Sequence, residues 1–196
     1  MGDLKNTVVV RLLQVNQPHM GRLFLPYSAG LLEAYARQYS LKPERYLFIP
    51  PIFKRILVKE AVQELLYTDI VGFSTYTWNI CFSLAVAKEL KRLKPNILTI
   101  FGGPQVPNQA ESFLRENPFI DVCCHGEGEP VFLELLEKYP ERNWPEIPAI
   151  SYLLSNGTFI HQPKAPRLKD INTIPSPYLQ GVFDIFLQAP IEHGGW

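Results

Sequence analysis

The sequence predicts an α/β protein: a doubly wound, mostly parallel sheet of about five strands, followed by a C-terminal β-hairpin and a linker. Three observations predict it. Short apolar runs alternate with helical patterns along residues 1–140, which marks crossover helices on a parallel sheet. Three of those runs end in glycine or hydroxyl loops: Ile70 to Trp78, Ile97 to Pro104, and Asp121 to Pro130. After Pro140 that texture stops, and Asn156-Gly157 sits between two short β-type runs as a hairpin signal.

Each element has its own signature. Thr7 to Val15 is a near-continuous apolar run and reads as the first strand. Pro26 to Tyr39 reads as a helix, with Pro26 in the first turn and Leu31, Leu32, Tyr35 and Ala36 on one face. Arg45 to Ile49 is a short second strand, closed by Pro50-Pro51. Phe53 to Tyr67 is an amphipathic helix, and the third strand begins at Asp69-Ile70. Asn79 to Leu93 is the next helix, and Pro95-Asn96 leads into the fourth strand. Gln109 to Glu116 is a shorter helix that Asn117-Pro118 stops. Val122 to His125 is the fifth strand and Val131 to Lys138 the fifth helix. Ala149 to Leu154 and Thr158 to His161 form the hairpin, and the chain beyond Gln162 reads as a linker. Residues 1–140 thus form one α/β domain, and residues 141–196 a hairpin and linker.

Composition narrows the function. The chain has 196 residues, 46% of them hydrophobic, enough for a core on both faces of a sheet. Lys+Arg and Asp+Glu are both 19, so no strong basic field exists to hold nucleic acid. No apolar run reaches the length of a membrane span, and no signal peptide is visible. The three cysteines, Cys81, Cys123 and Cys124, are odd in number and lack framework spacing, which predicts reduced thiols in a cytoplasmic protein.

In an open parallel sheet, ligands bind outside the carboxyl ends of the strands, so the three loops mark the site. Gly102-Gly103-Pro104 suits either a tight turn or the close approach of a bulky ligand. It is no Walker loop, since no Gly-Lys-Ser/Thr follows, and the first strand ends in Gln14-Val15-Asn16-Gln17 without a dinucleotide fingerprint. Ser74-Thr75-Tyr76-Thr77-Trp78 offers hydroxyls for an uncharged polar ligand, with Trp78 either a ligand wall or an anchor for the next helix. Gly126-Glu127-Gly128-Glu129 carries two carboxylates that repel phosphate, so it suits amides or hydroxyls. Both come from one tight turn, unlike a glycosidase pair. His125 is either a polar strand end or a ligand contact. Cys123-Cys124-His125 are consecutive and point to opposite faces of a strand, so they form no single metal site.

Taken in order, these segments resemble the cobalamin-binding domain at the N-terminus of cobalamin-dependent radical S-adenosylmethionine enzymes, a Rossmann- or flavodoxin-like fold. Pro26-Tyr27-Ser28-Ala29-Gly30-Leu31-Leu32 is similar to the family's Pro-Leu-Gly-Leu segment. Gly72-Phe73-Ser74, Gly102-Gly103-Pro104-Gln105-Val106 and Gly126-Glu127-Gly128-Glu129 follow in the family's order. Asn172 to Tyr178 resembles the linker into the radical domain. The resemblance implies cobalamin across the carboxyl edge of the sheet, its nucleotide tail beside strands three to five. The implied cofactor-binding residues are Ser74, Thr75, Tyr76, Thr77, Trp78, Gly102, Gly103, Pro104, Gln105, Val106, His125, Gly126, Glu127, Gly128 and Glu129.

A related class of cobalamin domains supplies a cobalt-ligating histidine from an Asp-x-His-x-x-Gly motif. Here Asn16-Gln17-Pro18-His19-Met20-Gly21 lacks the aspartate, and His19 is one residue too close to Gly21. The expectation is base-off cobalamin without a histidine ligand. The family's Cys-x3-Cys-x2-Cys motif is absent, and the sequence ends Ala189 to Trp196 near where it would start. S-adenosylmethionine and a four-iron four-sulfur cluster therefore belong to a parent enzyme, a methyltransferase, whose radical domain acts in cis or trans. The chain alone is expected to be non-catalytic, as a truncated parent or a stand-alone domain. The competing readings are a flavodoxin-like carrier and a ligand-sensing domain. A flavodoxin needs a Ser/Thr-rich phosphate loop after the first strand, and a receiver needs clustered acids there. Gln14 to Gln17 supplies neither.

Overall fold

The computed structural model describes residues 7–18, 20 and 22–188. His19, Gly21 and the segment Ala189 to Trp196 lie outside them, as does His193. Seven strands form one sheet in the order β2-β1-β3-β4-β5-β6-β7. They are β1 (Val8–Leu13), β2 (Tyr46–Ile52), β3 (Ile70–Ser74), β4 (Leu98–Gly102), β5 (Val122–Cys124), β6 (Ile150–Leu153) and β7 (Phe159–His161). The first five pair in parallel, in the doubly wound order 2-1-3-4-5, and β6 and β7 add antiparallel. The helices are α1 (Tyr27–Tyr39), α2 (Val58–Leu65), α3 (Ile80–Leu93), α4 (Glu111–Glu116), α5 (Gly128–Glu137) and α6 (Asp184–Leu187).

The period of two divides the core. Val10, Leu12, Ile70, Leu98, Ile100 and Val122 point to one face and pack under α1 and α5. Leu13, Val71, Phe73, Phe101 and Cys123 point to the other, under α2, α3 and α4. Both faces are covered, which is why the strands read as continuous apolar runs. The Glu137 carboxylate accepts from Ser40 Oγ (2.6 Å) and from the Leu41 amide (3.0 Å), tying the end of α5 to the end of α1.

Four elements differ from expectation. β2 runs through Pro50-Pro51 instead of ending there. It is an edge strand with a register shift opposite Arg11 to Leu13, and an edge tolerates residues that lack an amide donor. The following chain stays extended, with Asn16 N–H donating to Phe53 O, so α2 begins at Val58 and not at Phe53. α5 begins at Gly128, three residues before Val131, because Gly126 takes a left-handed φ of 73° and turns the chain early. The hairpin joins the sheet: His125 N–H donates to Ala149 O and β6 pairs with β5, giving seven strands where about five and a separate hairpin were expected.

The segment beyond Gln162 is also more ordered than a linker. It returns to α1, where Phe183 is fully buried and meets Gly30 so closely that any Cβ there would collide with its ring. Glycine at that position is a packing requirement, and α1 accepts its helix cost for that reason.

Candidate functional site

The sheet order reverses between β1 and β3, and the loops after β1, β3, β4 and β5 converge at that switch point. Asn79, fully buried ahead of α3, fixes two of them. Its Nδ2 donates to Val15 O (3.1 Å) and Ser74 O (3.0 Å), and its Oδ1 accepts from the Tyr76 amide (2.8 Å).

Beneath α1 and α5 the carboxyl ends of β3, β4 and β5 enclose a crevice of about 460 Å³. Its cause lies in the residues on one face. Gly72 pairs with Ile100 and Ser74 with Gly102, while Cys124 ends β5 beside them. Small side chains on three adjacent strands leave space where the helices can no longer close onto the sheet. Phe132, Leu32 and Ile100 make its apolar wall. A Cβ at Gly72 would meet Leu12 at 2.6 Å, so that glycine is also demanded by packing.

Nine of the sequence-predicted residues line this crevice: Ser74, Tyr76, Gly102, Gly103, Pro104, Gly126, Glu127, Gly128 and Glu129. The other six do not. Thr75 is fully buried, and its hydroxyl donates to Gly102 O (2.7 Å), tying the β3 loop to β4. Thr77 accepts from Gln105 Nε2 (3.2 Å), a pair that joins the two loops outside the crevice. Val106 points into the opposite core with Phe101. Trp78 stacks on Tyr76 (4.7 Å, 7°) and donates Nε1–H to Val15 O (3.1 Å). It faces a second recess of about 550 Å³, shared with Phe24, Tyr27 and Tyr76. Gln14 and Asn16 also border that recess. Their amides are spent on the Ala29 amide, on one another and on the Phe24 carbonyl.

His125 is buried and turned toward the hairpin. Its Nε2 lies 2.8 Å from Ser151 Oγ, which lies 2.7 Å from His161 Nδ1. Burial, and then the neighbouring His161, lower its pKa, which favours the neutral ring. Burial pushes the Cys124 thiol up to about 12 and the Cys123 thiol still higher, so both stay protonated. Among the described residues no group of three or more His, Cys, Asp or Glu side chains could hold a metal ion.

The two glycines of Gly102-Gly103 have different jobs. Gly103 has φ 99°, and a Cβ there would strike the Thr75 backbone oxygen at 2.6 Å. The sequence leaves the pair open between a tight turn and space for a ligand; a Cβ at Gly102 would meet only Cys124 Cβ, at 3.7 Å, and has no backbone in its way. Gly103 serves the turn.

Sequence reasoning missed one wall altogether. Leu168, Ile171 and Ile174, from the segment expected to be linker, border the crevice. Two hydrogen bonds hold this strap: Leu168 N–H donates to Glu127 Oε2 (2.7 Å), and Tyr39 Oη–H donates to Thr173 O (2.8 Å). Ser28 was also missed. Its hydroxyl meets Tyr76 Oη at 2.6 Å, and the pair forms the lip between crevice and recess. The only sequence signal for Ser28 was its place in the Pro26 to Leu32 segment, and for the strap its isoleucines in a polar stretch.

Comparison with known proteins accords with this geometry. A family model, the B12 binding domain, matches residues 55–136. The cobalamin-dependent radical SAM methyltransferase TokK of Streptomyces tokunonensis is 39% identical over 176 residues, which is 87% of this chain and 25% of that protein. A 2-(S-pantetheinyl)-carbapenam-3-carboxylate methyltransferase of Streptantibioticus cattleyicolor is 36% identical over 163 residues, 82% of this chain and 24% of that one. The chain thus spans about a quarter of the length of these curated relatives. The cobalamin-dependent S-adenosylmethionine radical enzyme OxsB, solved with aqua-cobalamin and S-adenosylmethionine bound, shares the fold at a TM-score of 0.72. It has 19% identity, covering 92% of this chain and 25% of that one. The radical S-adenosylmethionine methyltransferase TsrM of Kitasatospora setae, solved with cobalamin and a [4Fe-4S] cluster, gives a TM-score of 0.62 at 18% identity, covering 87% of this chain and 31% of that one. Loop order, switch-point crevice and relatives agree: the chain carries a B12 binding domain over residues 55–136 and is similar to the corresponding quarter of cobalamin-dependent radical S-adenosylmethionine enzymes.

Proposed function

We propose that this chain holds base-off cobalamin at the carboxyl edge of its sheet. The nucleotide tail enters the crevice under α1 and α5, and the corrin lies outside it over the loops after β1 and β3. The observation that carries this is the row of small residues, Gly72, Ser74, Gly102 and Cys124, ending three adjacent strands on one face. A crevice of about 460 Å³ is of the size that takes a compact ligand fragment. Its rim amides and hydroxyls, from Ser74, Tyr76 and the Gly126 turn, suit the amide side chains of a corrin.

His125 supports the absence of a histidine ligand, since its Nε2 is engaged by Ser151 and the ring does not border the crevice. His161 Nδ1 is engaged by the same hydroxyl. Cobalamin would supply an alkyl group carried on cobalt. The residues here bind and orient it. Cleavage of S-adenosylmethionine needs a three-cysteine cluster site, which Cys81, Cys123 and Cys124 do not provide by spacing. That step is assigned to a radical domain, in cis or trans, of a methyltransferase. No described helix is long and apolar enough to cross a membrane.

Titration with hydroxocobalamin tests the reading. The expected result is a shifted visible spectrum and pigment that co-elutes with the protein on gel filtration. An unchanged spectrum with no retained pigment would overturn it.

A further inference from the structure

The crevice under α1 and α5 and the recess beside Trp78 have separate linings, with two exceptions. Among the described residues, Ser28 and Tyr76 alone border both. Their hydroxyls meet at 2.6 Å. That bond uses one hydroxyl hydrogen, whichever oxygen donates it, and neither oxygen has another partner among the described residues. The pair therefore leaves one O–H donor unspent at the boundary of the two cavities. That donor is well positioned. The Tyr76 amide donates to Asn79 Oδ1 (2.8 Å), and its ring stacks on Trp78 at 4.7 Å. Trp78 is fixed in turn by its bond to Val15 O. Charge also differs across the boundary. The crevice carries two carboxylates, Glu127 and Glu129, whereas the described recess lining has no charged side chain.

We propose that crevice and recess are two ends of one ligand site, and that the Ser28–Tyr76 pair binds the arm joining the two parts of the ligand, through an acceptor oxygen of its phosphodiester. The inference rests on the reading that a corrinoid tail enters the crevice while the corrin lies over the loops after β1 and β3. Those loops line the recess, so the arm crosses the boundary that the pair occupies. An anionic oxygen at that point meets a free donor. It also leaves behind the carboxylates of the Gly126 turn, which line the crevice and not the recess. A hydroxyl already held by a stacked ring and a neighbouring hydroxyl loses little freedom when a ligand oxygen joins it.

The test is absorbance titration of the full chain with two probes: hydroxocobalamin, and cobinamide, which keeps the corrin but lacks the phosphodiester, ribose and base. Tyr76→Phe keeps the ring that stacks on Trp78 and removes one hydroxyl, and Ser28→Ala removes the other. In each single variant the remaining hydroxyl still donates, but without its partner to hold it. Each is expected to weaken hydroxocobalamin binding by roughly two- to fivefold, and the double variant by roughly five- to twentyfold. Cobinamide affinity is expected to stay within about twofold of the parent in all three, which also reports an intact recess. Hydroxocobalamin affinity equal to the parent's in the double variant would overturn the inference while leaving cobalamin binding intact. An equal loss for both probes would overturn it too, since the hydroxyls would then support the corrin seat and not the arm. If the parent binds neither probe, the cofactor reading itself falls and takes this inference with it.

Discussion

The two faces of β3 and β4 are made from alternate residues of the same strands, yet they end differently. On the face under α2 and α3, Phe73 and Phe101 stack at 4.6 Å and fill the core to the carboxyl edge. On the face under α1 and α5, their neighbours Gly72 and Gly102 leave the crevice open. A shift of one residue along the strand separates a packed core from an open crevice, because successive side chains point to opposite faces. The filled face secures the sheet, so the hollow face can give up contact at its end without loss of the fold.

The filled face is where a mutation should cost most stability. Phe101 is fully buried, and Phe101→Ala is expected to lower the unfolding free energy by about 3–5 kcal/mol, read by denaturant titration. A loss below about 1 kcal/mol would mean that the stacked pair does not anchor the sheet.

The roof of the hollow face carries a burden that the filled face lacks. Glu33 of α1 is the one buried carboxylate among the described residues, 4% exposed and paired with Arg37. Burial raises its pKa from 4.5 to about 7, and Arg37 only partly opposes the rise. Between those values the folded chain holds more protons than the unfolded one, so stability falls as pH rises. The contribution of the neutral acid is present in full below pH 4.5 and is lost as pH climbs through about 7. Glu33→Gln is expected to match the parent near pH 4.5 and to exceed it by about 2–3 kcal/mol at pH 8. A difference that does not change between those pH values would show Glu33 ionised throughout.

Gly102→Leu inverts the Phe101 experiment. Gly102 has no left-handed backbone angle, and an added Cβ meets only Cys124 at an ordinary distance. Stability should shift by less than about 1 kcal/mol, while hydroxocobalamin affinity falls by roughly tenfold or more as the side chain fills the crevice. Unchanged affinity in the folded variant would place the ligand away from the hollow face. Gly103 is the wrong residue for this test, because a side chain there strikes the Thr75 backbone and confounds binding with folding.

What the sequence revealed followed local physics. The parallel order and the helices α1 and α3 were legible because apolar periodicity reports which residues face the sheet. The glycine loops were legible because strand ends in such a sheet converge. What it hid was tertiary. Pro50-Pro51 reads as a stop unless one knows that β2 is an edge. Asn156-Gly157 announces a hairpin but says nothing of β5 as its partner. His125 sits between two crevice residues in sequence and Val106 two residues beyond another, yet Val106 turns into the opposite core and His125 is drawn toward Ser151. The strap has no periodicity, and its place over the crevice depends on partners 41 and 134 residues away, Glu127 and Tyr39.

That strap gives the finest test of the contrast, since it closes part of the hollow face through two exposed hydrogen bonds. Ile171 borders the crevice while 77% exposed, so it holds apolar surface that a ligand beneath it would bury. Glu127 latches the strap through the Leu168 amide, an exposed charge-assisted bond whose loss should barely move the melting temperature. Glu127→Ala is expected to speed cobalamin dissociation by about two- to fivefold, read by exchange against excess labelled cofactor, with association changed less. Tyr39→Phe removes the other tether, the bond to the Thr173 carbonyl, without touching the crevice lining, and should act in the same direction. If dissociation is unchanged in both variants and in their combination, the strap does not cover bound ligand, and the hollow face is open to solvent on that side.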